Sequence, residues 1–71
     1  MVKVGDTVKV TNLHKDVKET DAVMRVLGKT GKAVRVANDS LMKFPVTVKF
    51  DVEGEFRLNI EEIEVIQTIK P

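Results

Sequence analysis

Alternation of apolar and polar residues is clearest in residues 44–50, which read FPVTVKF. This period of two, together with β-branched and aromatic side chains, predicts a half-buried strand. Pro45 has no backbone N–H and therefore suits the entrance of a strand. We expect the central strand of the fold here. Its inward side is formed by alternate apolar residues, Val46, Val48 and Phe50.

Further segments alternate in the same way and predict the remaining strands. Residues 7–10 follow a Gly-Asp turn, residues 32–37 follow a glycine-containing turn, and residues 55–60 follow the central strand. Residues 64–66 predict a short closing strand. The residues expected to point inward from the three longer segments are Val8, Val10, Val34, Val36, Phe56, Leu58 and Ile60.

The connections between these strands differ in regularity. Residues 11–27 could hold a short helix capped by Thr20 or Asp21, or an extended edge segment, but a long and partly ordered loop is favoured. Residues 28–31 (GKTG) predict a turn in which both glycines adopt positive φ. Residues 51–54 predict a hairpin turn, and residues 61–63 predict a single 3₁₀ turn.

Five short strands, a long first loop and a 3₁₀ turn before the last strand predict an all-β fold. Antiparallel strands as short as these protect their edges best by closing on themselves. We therefore expect a small five-stranded SH3-like barrel, with residues 1–71 forming a single domain.

Composition narrows the possible functions. The chain has 71 residues, 42% of them hydrophobic but only 4% aromatic, and it contains no cysteine. Thiol chemistry and disulfides are therefore excluded for this chain. The net charge of +1 argues against a general polyanion binder. Residues 1–37 carry eight Lys/Arg against four acids (+4), and residues 38–71 carry four against seven (−3), which predicts a two-sided surface.

Candidate catalytic chemistry is sparse. His14 is the single histidine, which is too few for an ordinary transition-metal site. Glu61, Glu62 and Glu64 form a carboxylate cluster that we interpret as a solvated corner. The string GKT lacks the first glycine of a phosphate loop and precedes a strand. We expect no enzyme, no catalytic residue and no metal ligand.

No apolar run approaches the length of a membrane span, and no targeting segment is recognisable. We therefore expect a soluble protein of the cytoplasm, or of the plastid stroma if it is processed.

Two sets of residues are candidates for contacts with other molecules. The first set lies in the loops and is more apolar than the barrel needs, although these side chains could simply cover the barrel ends. It comprises Leu13, His14, Val17, Met24, Leu41, Met42 and Phe44. The second set is basic and falls on the outer side of the strands, where the alternative is an ordinary solvated surface. It comprises Lys9, Arg35, Lys49 and Arg57.

The order of motifs resembles the variable (alpha) chain of ferredoxin–thioredoxin reductase. The resemblance rests on residues 4–10 (VGDTVKV), 27–31 (LGKTG), 44–50 (FPVTVKF) and 56–66 (FRLNIEEIEVI). The small stromal photosystem I subunit PsaE has the same barrel and a similar Pro-Val strand. Its first loop is short and a later loop is long, so the loop lengths of this chain favour the reductase subunit.

The resemblance implies a structural subunit in photosynthetic electron transport and redox regulation. Such a subunit forms a heterodimer with a catalytic chain that holds a [4Fe–4S] cluster and a redox-active disulfide, and it binds no cofactor itself. Electrons pass from ferredoxin to thioredoxin through that partner. Residues 14–19 and 40–44 would be the contact regions. The alternatives are a PsaE-like subunit that docks ferredoxin through the basic residues or, ranked last because of the low net charge, an SH3-like RNA- or protein-binding module.

Overall fold

The computed structural model describes residues 2–18, 21–38 and 41–67. The elements, in chain order, are β1 (Thr7–Val10), the 3₁₀ helix η1 (Ala22–Val26), β2 (Thr30–Val36), β3 (Val46–Phe50), β4 (Gly54–Leu58), the 3₁₀ helix η2 (Ile60–Glu62) and β5 (Ile63–Gln67). The predicted all-β fold of five strands, with a 3₁₀ turn before the last strand, is confirmed. That turn lies one residue earlier than predicted.

The five strands form one antiparallel sheet in the order β4-β3-β2-β1-β5. β3, which we expected to be the central strand, is paired on both sides, but the middle of the sheet is β2. Within the described ranges, β4 and β5 each pair on one side, so they form the two edges. Closure of this sheet into a barrel stays a prediction.

A single hydrophobic cluster lies on the inner face of the sheet, and each fully buried valine or phenylalanine in it contributes about 1.5–3 kcal/mol. The predicted alternation in β3 is confirmed, because its first, third and fifth residues are buried and the two between them are less so. The buried apolar residues are Val2, Val8, Val10, Val26, Ala33, Val46, Val48, Phe50 and Leu58.

The inward residues predicted for β2 are partly wrong. Ala33 is buried, whereas Val34 is 39% exposed. The register with β3 pairs Ala33 with Val48 and Arg35 with Thr47, so β2 carries one extra residue between these two pairs. Such a bulge resets the alternation of side chains. Val36 therefore returns to the core side, as predicted, and packs on the cluster.

Two further predictions, the inward orientation of Ile60 and the positive φ of Gly31, are wrong. Ile60 is 54% exposed, because the chain leaves β4 at Leu58 and Ile60 begins η2. Gly28 has the predicted positive φ of 83°, but Gly31 does not and lies inside β2. A Cβ atom at Gly31 would lie 2.7 Å from Val48 Cγ1, so this glycine is needed for space rather than for backbone freedom.

The described part of the first loop, residues 11–18 and 21–29, has more regular structure than the favoured interpretation predicted, because it contains η1 with a fully buried Val26. This 3₁₀ helix of five residues begins after Asp21 and ends before Gly28, at the position of the short helix that the sequence offered as an alternative. Asp21, however, does not cap the helix with its side chain; its Oδ2 accepts the backbone N–H of Lys18 at 2.9 Å. Thr20 lies outside the described residues.

Candidate partner-binding cleft

A cleft of about 310 Å³ lies between the first loop (residues 11–29) and the second loop (residues 37–45). We call it the loop cleft. One wall comes from the first loop, the other from the second loop, and β4 and η2 supply the rest. Its lining residues are Val17, Asp21, Val23, Met42, Lys43, Phe44, Arg57 and Glu62.

Several of the predicted contact residues meet at this cleft. Val17, Met42 and Phe44 line it. His14 packs edge-on against the Phe44 ring, with 5.5 Å between ring centroids and 69° between ring planes. The fold thus brings together apolar side chains from segments about thirty positions apart in the sequence.

The other three predicted contact residues lie elsewhere. Leu13 is partly buried and packs on the hydrophobic core. Met24 is half-buried in η1 and is not among the lining residues. Leu41 is 91% exposed at the start of the described part of the second loop.

The first loop is attached to η2 through Glu62, whose side chain is 1% exposed. Glu62 Oε1 accepts the backbone N–H of Asn59 at 2.7 Å, and Oε2 accepts the backbone N–H of His14 at 2.9 Å. The Glu62 carbonyl oxygen also accepts the N–H groups of Thr11 and Asn12, at 2.9 and 3.3 Å. Both carboxylate oxygens therefore have donors, which is what makes burial of this charge tolerable.

The interpretation of the Glu61, Glu62 and Glu64 cluster as a solvated corner is wrong for Glu62. Glu61 and Glu64 are exposed as expected. Asn59 and Glu62 form a reciprocal capping box around η2. Their spacing of three residues is the usual signal of such a box. The sequence therefore carried a local signal for Glu62, but none for its bond to His14.

The second loop is attached to the same turn through Asn59. The side-chain amide of Asn59 donates to the carbonyl oxygen of Lys43 at 2.6 Å, and its oxygen accepts the N–H of Glu61 at 2.8 Å. The two loops also meet directly, because Lys43 Nζ lies 2.7 Å from Asp16 Oδ2. Asn59 and Glu62 together thus hold the two walls of the loop cleft at a fixed separation.

Both acidic and basic side chains lie near the loop cleft. The hydrogen bond from Lys43 holds the pKa of the Asp16 carboxyl below its ordinary value, with smaller contributions from the charges of Lys43, His14 and Lys15. His14 Nδ1 accepts the backbone N–H of Asp16 at 3.1 Å. Apolar walls with a few charged groups at the rim suit the binding of another molecule.

The four predicted basic residues do not form one uniform patch. Lys9 lies opposite Glu64 in the β1–β5 register, and Lys49 lies opposite Glu55 in the β3–β4 register. Arg35 and Arg57 instead flank Thr47, on either side of β3. Of the four predicted basic residues, only Arg35 and Arg57 lie in the same row of cross-strand neighbours.

No group of three or more histidine or acidic residues in the described ranges could hold a metal ion. The same ranges contain no helix with the length and apolar character that a membrane span requires. The sequence matches no protein-family model, and no curated protein shows significant similarity to it.

Proposed function

We propose that this chain is a non-catalytic subunit that binds a partner protein through the loop cleft. The observation that carries the proposal is the attachment of both cleft walls to one turn. Asn59 holds the second loop, Glu62 holds the first loop, and Lys43 pairs with Asp16 between them. Loops fixed in this way lose little conformational entropy when a partner binds.

The lining of the cleft favours a protein partner with an apolar anchor side chain. Val17, Val23, Met42 and Phe44 offer aliphatic, thioether and aromatic surface. Such pockets receive the few side chains that dominate interface energies, while the charged rim, here Lys43 and Arg57, adds orientation.

The resemblance to the variable chain of ferredoxin–thioredoxin reductase suggests which partner this is. On this proposal the partner is the catalytic chain, and it carries the [4Fe–4S] cluster and the redox-active disulfide. The chain described here would then stabilise that partner in a heterodimer and take no part in electron transfer itself. The order of strands and the 3₁₀ turn before β5 are compatible with the SH3-like arrangement on which the resemblance depends.

A second candidate function is the docking of an acidic electron carrier, as in PsaE. Arg35 and Arg57 favour it, because neither pairs with a carboxylate within the described ranges. Glu64 lies opposite Lys9, and Lys49 lies between Glu55 and Lys32, so acidic and basic residues are mixed on this part of the surface. We therefore rank docking below the subunit role.

Capture of the partner from the native cell extract tests the proposal. The tagged chain is purified from that extract, and the complex is analysed by native mass spectrometry at low and high salt. A one-to-one complex with a small cysteine-rich iron–sulfur chain that survives high salt is the expected result. Capture of an acidic carrier that is released by salt would instead favour docking, because screened surface charges weaken with ionic strength.

A pair of matched variants locates the interface. Val17→Glu places a charge in the loop cleft, and Val52→Glu places the same charge on a residue that is 89% exposed in the β3–β4 turn. We expect Val17→Glu to weaken partner binding by about tenfold or more, the effect typical of a disrupted anchor contact, and Val52→Glu to leave binding unchanged. Equal binding by both variants would show that the cleft is not the interface.

A further inference from the structure

The outer face of the sheet carries a row of three side chains, of which the proposed subunit role uses only Arg57, at the rim of the loop cleft. The register pairs Arg35 of β2 with Thr47 of β3, and Thr47 with Arg57 of β4. Residues paired in this way present their side chains on the same face. Since neighbouring strands lie about 4.8 Å apart, the two arginines start roughly 10 Å apart with the hydroxyl between them.

Neither arginine of this row forms an ion pair with a described residue. Arg35 and Arg57 are both exposed. Lys29 and Lys43, in contrast, pair with Glu53 and Asp16. Two like charges in one row repel each other, and an anion placed between them would remove that repulsion.

Two surface clefts meet at the same row. One, of about 280 Å³, has the row as its polar part and Ala37, Met42 and Pro45 as its apolar part. The other, of about 460 Å³, contains the row together with Val34, Glu55 and Phe56. Glu55 is the acidic residue of this second cleft, and it lies opposite Lys49 in the strand register. The first cleft has no acidic lining residue among those described.

We infer that Arg35, Thr47 and Arg57 form a binding site for a phosphomonoester with a small apolar body. One guanidinium fork already satisfies the two oxygens of a carboxylate. Two forks and a hydroxyl in one row can together donate to the larger number of acceptor oxygens on a tetrahedral phosphate. The apolar body would lie against Met42 and Pro45 in the smaller cleft, whose volume is near the lower end of ligand sites, about 300 Å³.

Nuclear magnetic resonance titrations of the ¹⁵N-labelled full chain test the inference. The probes are phenyl phosphate, inorganic phosphate and, as the carboxylate of similar shape, benzoate. We expect saturable shifts at the Thr47 amide and at the Nε–H groups of Arg35 and Arg57. Phenyl phosphate should bind more tightly than inorganic phosphate, because its ring buries apolar surface, and more tightly than benzoate, because benzoate has fewer acceptors.

Variants that each remove one positive charge distinguish a specific phosphate site from non-specific attraction of anions to the surface. Arg35→Gln and Arg57→Gln should each lower the affinity for phenyl phosphate by about tenfold or more, as expected for the loss of charged hydrogen bonds. Lys9→Gln and Lys29→Gln remove the same charge from residues that lie beside Glu64 and Glu53, outside both clefts. They should change affinity by less than about twofold, since exposed charges at a distance are screened.

Three results would overturn the inference. They are absence of saturable binding, equal loss of affinity in all four variants, and benzoate binding at least as tight as phenyl phosphate. Displacement of phenyl phosphate by a glutamate-rich peptide at lower concentration would also overturn it, and would assign the row to an acidic protein. Arg35 lines both clefts of this row but not the loop cleft. Arg35→Gln should therefore weaken phosphate binding and leave partner binding intact, so this test and the partner test can fail separately.

Discussion

The Glu62 carboxylate accepts a hydrogen bond from the backbone N–H of His14, 48 positions away in the chain. The same carboxylate caps η2 through Asn59, so one buried side chain joins the end of the sheet to the first loop. The wall of the loop cleft that carries Val17 begins at this connection, since the N–H of Val17 donates to the carbonyl oxygen of His14 at 2.9 Å.

Replacement of Glu62 should therefore affect both stability and loop order. In Glu62→Gln the new amide group would face one of the two N–H donors, and a buried donor would lose its acceptor. We expect the free energy of unfolding to fall by about 2 kcal/mol, the range for charged hydrogen bonds. The amide of His14 should also exchange with solvent faster. Urea denaturation and hydrogen exchange measure the two effects.

Glu61→Gln is the matched control, because Glu61 lies in the same turn and is exposed. Its free energy of unfolding should stay within about 0.5 kcal/mol of the wild type. A similar loss in both variants would mean that the charge of the turn matters and that the bond to His14 does not.

Substitution of Asn59 separates its two contacts. Asn59→Ser keeps a good N-cap oxygen for Glu61, but a serine side chain is too short to donate to the Lys43 carbonyl. The cap preference predicts a change in stability below about 0.5 kcal/mol, whereas Asn59→Ala should cost about 1 kcal/mol. Both variants should speed amide exchange in residues 41–44. Unchanged exchange there in Asn59→Ser would contradict the role of Asn59 in holding the second loop.

Gly31→Ala should be strongly destabilising. Its Cβ would lie 2.8 Å from the carbonyl oxygen of Lys49 and 2.9 Å from Phe50 Cδ1, in addition to the close approach to Val48. Overpacking of this kind costs about 1–3 kcal/mol, and the backbone oxygen leaves little room for relief. Gly28→Ala meets no atom within 4 Å and is strained only through its φ of 83°. We expect Gly28→Ala to lower the free energy of unfolding by about 1 kcal/mol, as measured by urea denaturation. A smaller loss for Gly31→Ala would contradict the packing role.

The pKa of Asp16 should report contact between the two loops. Lys43→Gln removes the hydrogen bond that lowers this pKa, so the value should rise towards that of an ordinary aspartate. Lys15→Gln should raise it less, because Lys15 contributes only the last and smallest of the charge effects. Carboxyl ¹³C titration measures both. An equal rise in the two variants would mean that the Lys43 bond is not formed in solution.

The sign of the linked pH dependence follows from the direction of the shift. A pKa lowered by folding makes the ion pair stabilising above the pKa of the unfolded chain. That stabilisation is lost as the pH falls through the lowered value. Because Asp16 is exposed, we expect a small effect, which Lys43→Gln should abolish.

Much of the sheet could be predicted because side-chain alternation is a local property of an extended chain. Val46, Val48 and Phe50 are recognisable from their period of two, and the turn before Gly54 from its composition. The prediction failed at Val34, because a bulge depends on how β2 pairs with β3. It also failed at Gly31, since the side chains that exclude a Cβ there come from another strand.

The candidate sites, like the sheet, were predictable in part from the sequence. The apolar loop residues and the basic strand residues were visible in the sequence as separate sets. The sequence by itself determined the alternation of β3, the hairpin turn before β4 and the absence of a thiol. Only the tertiary structure decided that Glu62 is buried against His14, that Phe44 and Val17 share a cleft, and that Arg35 and Arg57 flank Thr47. These relationships join residues distant in the chain, and strand register and loop packing set them rather than any local period.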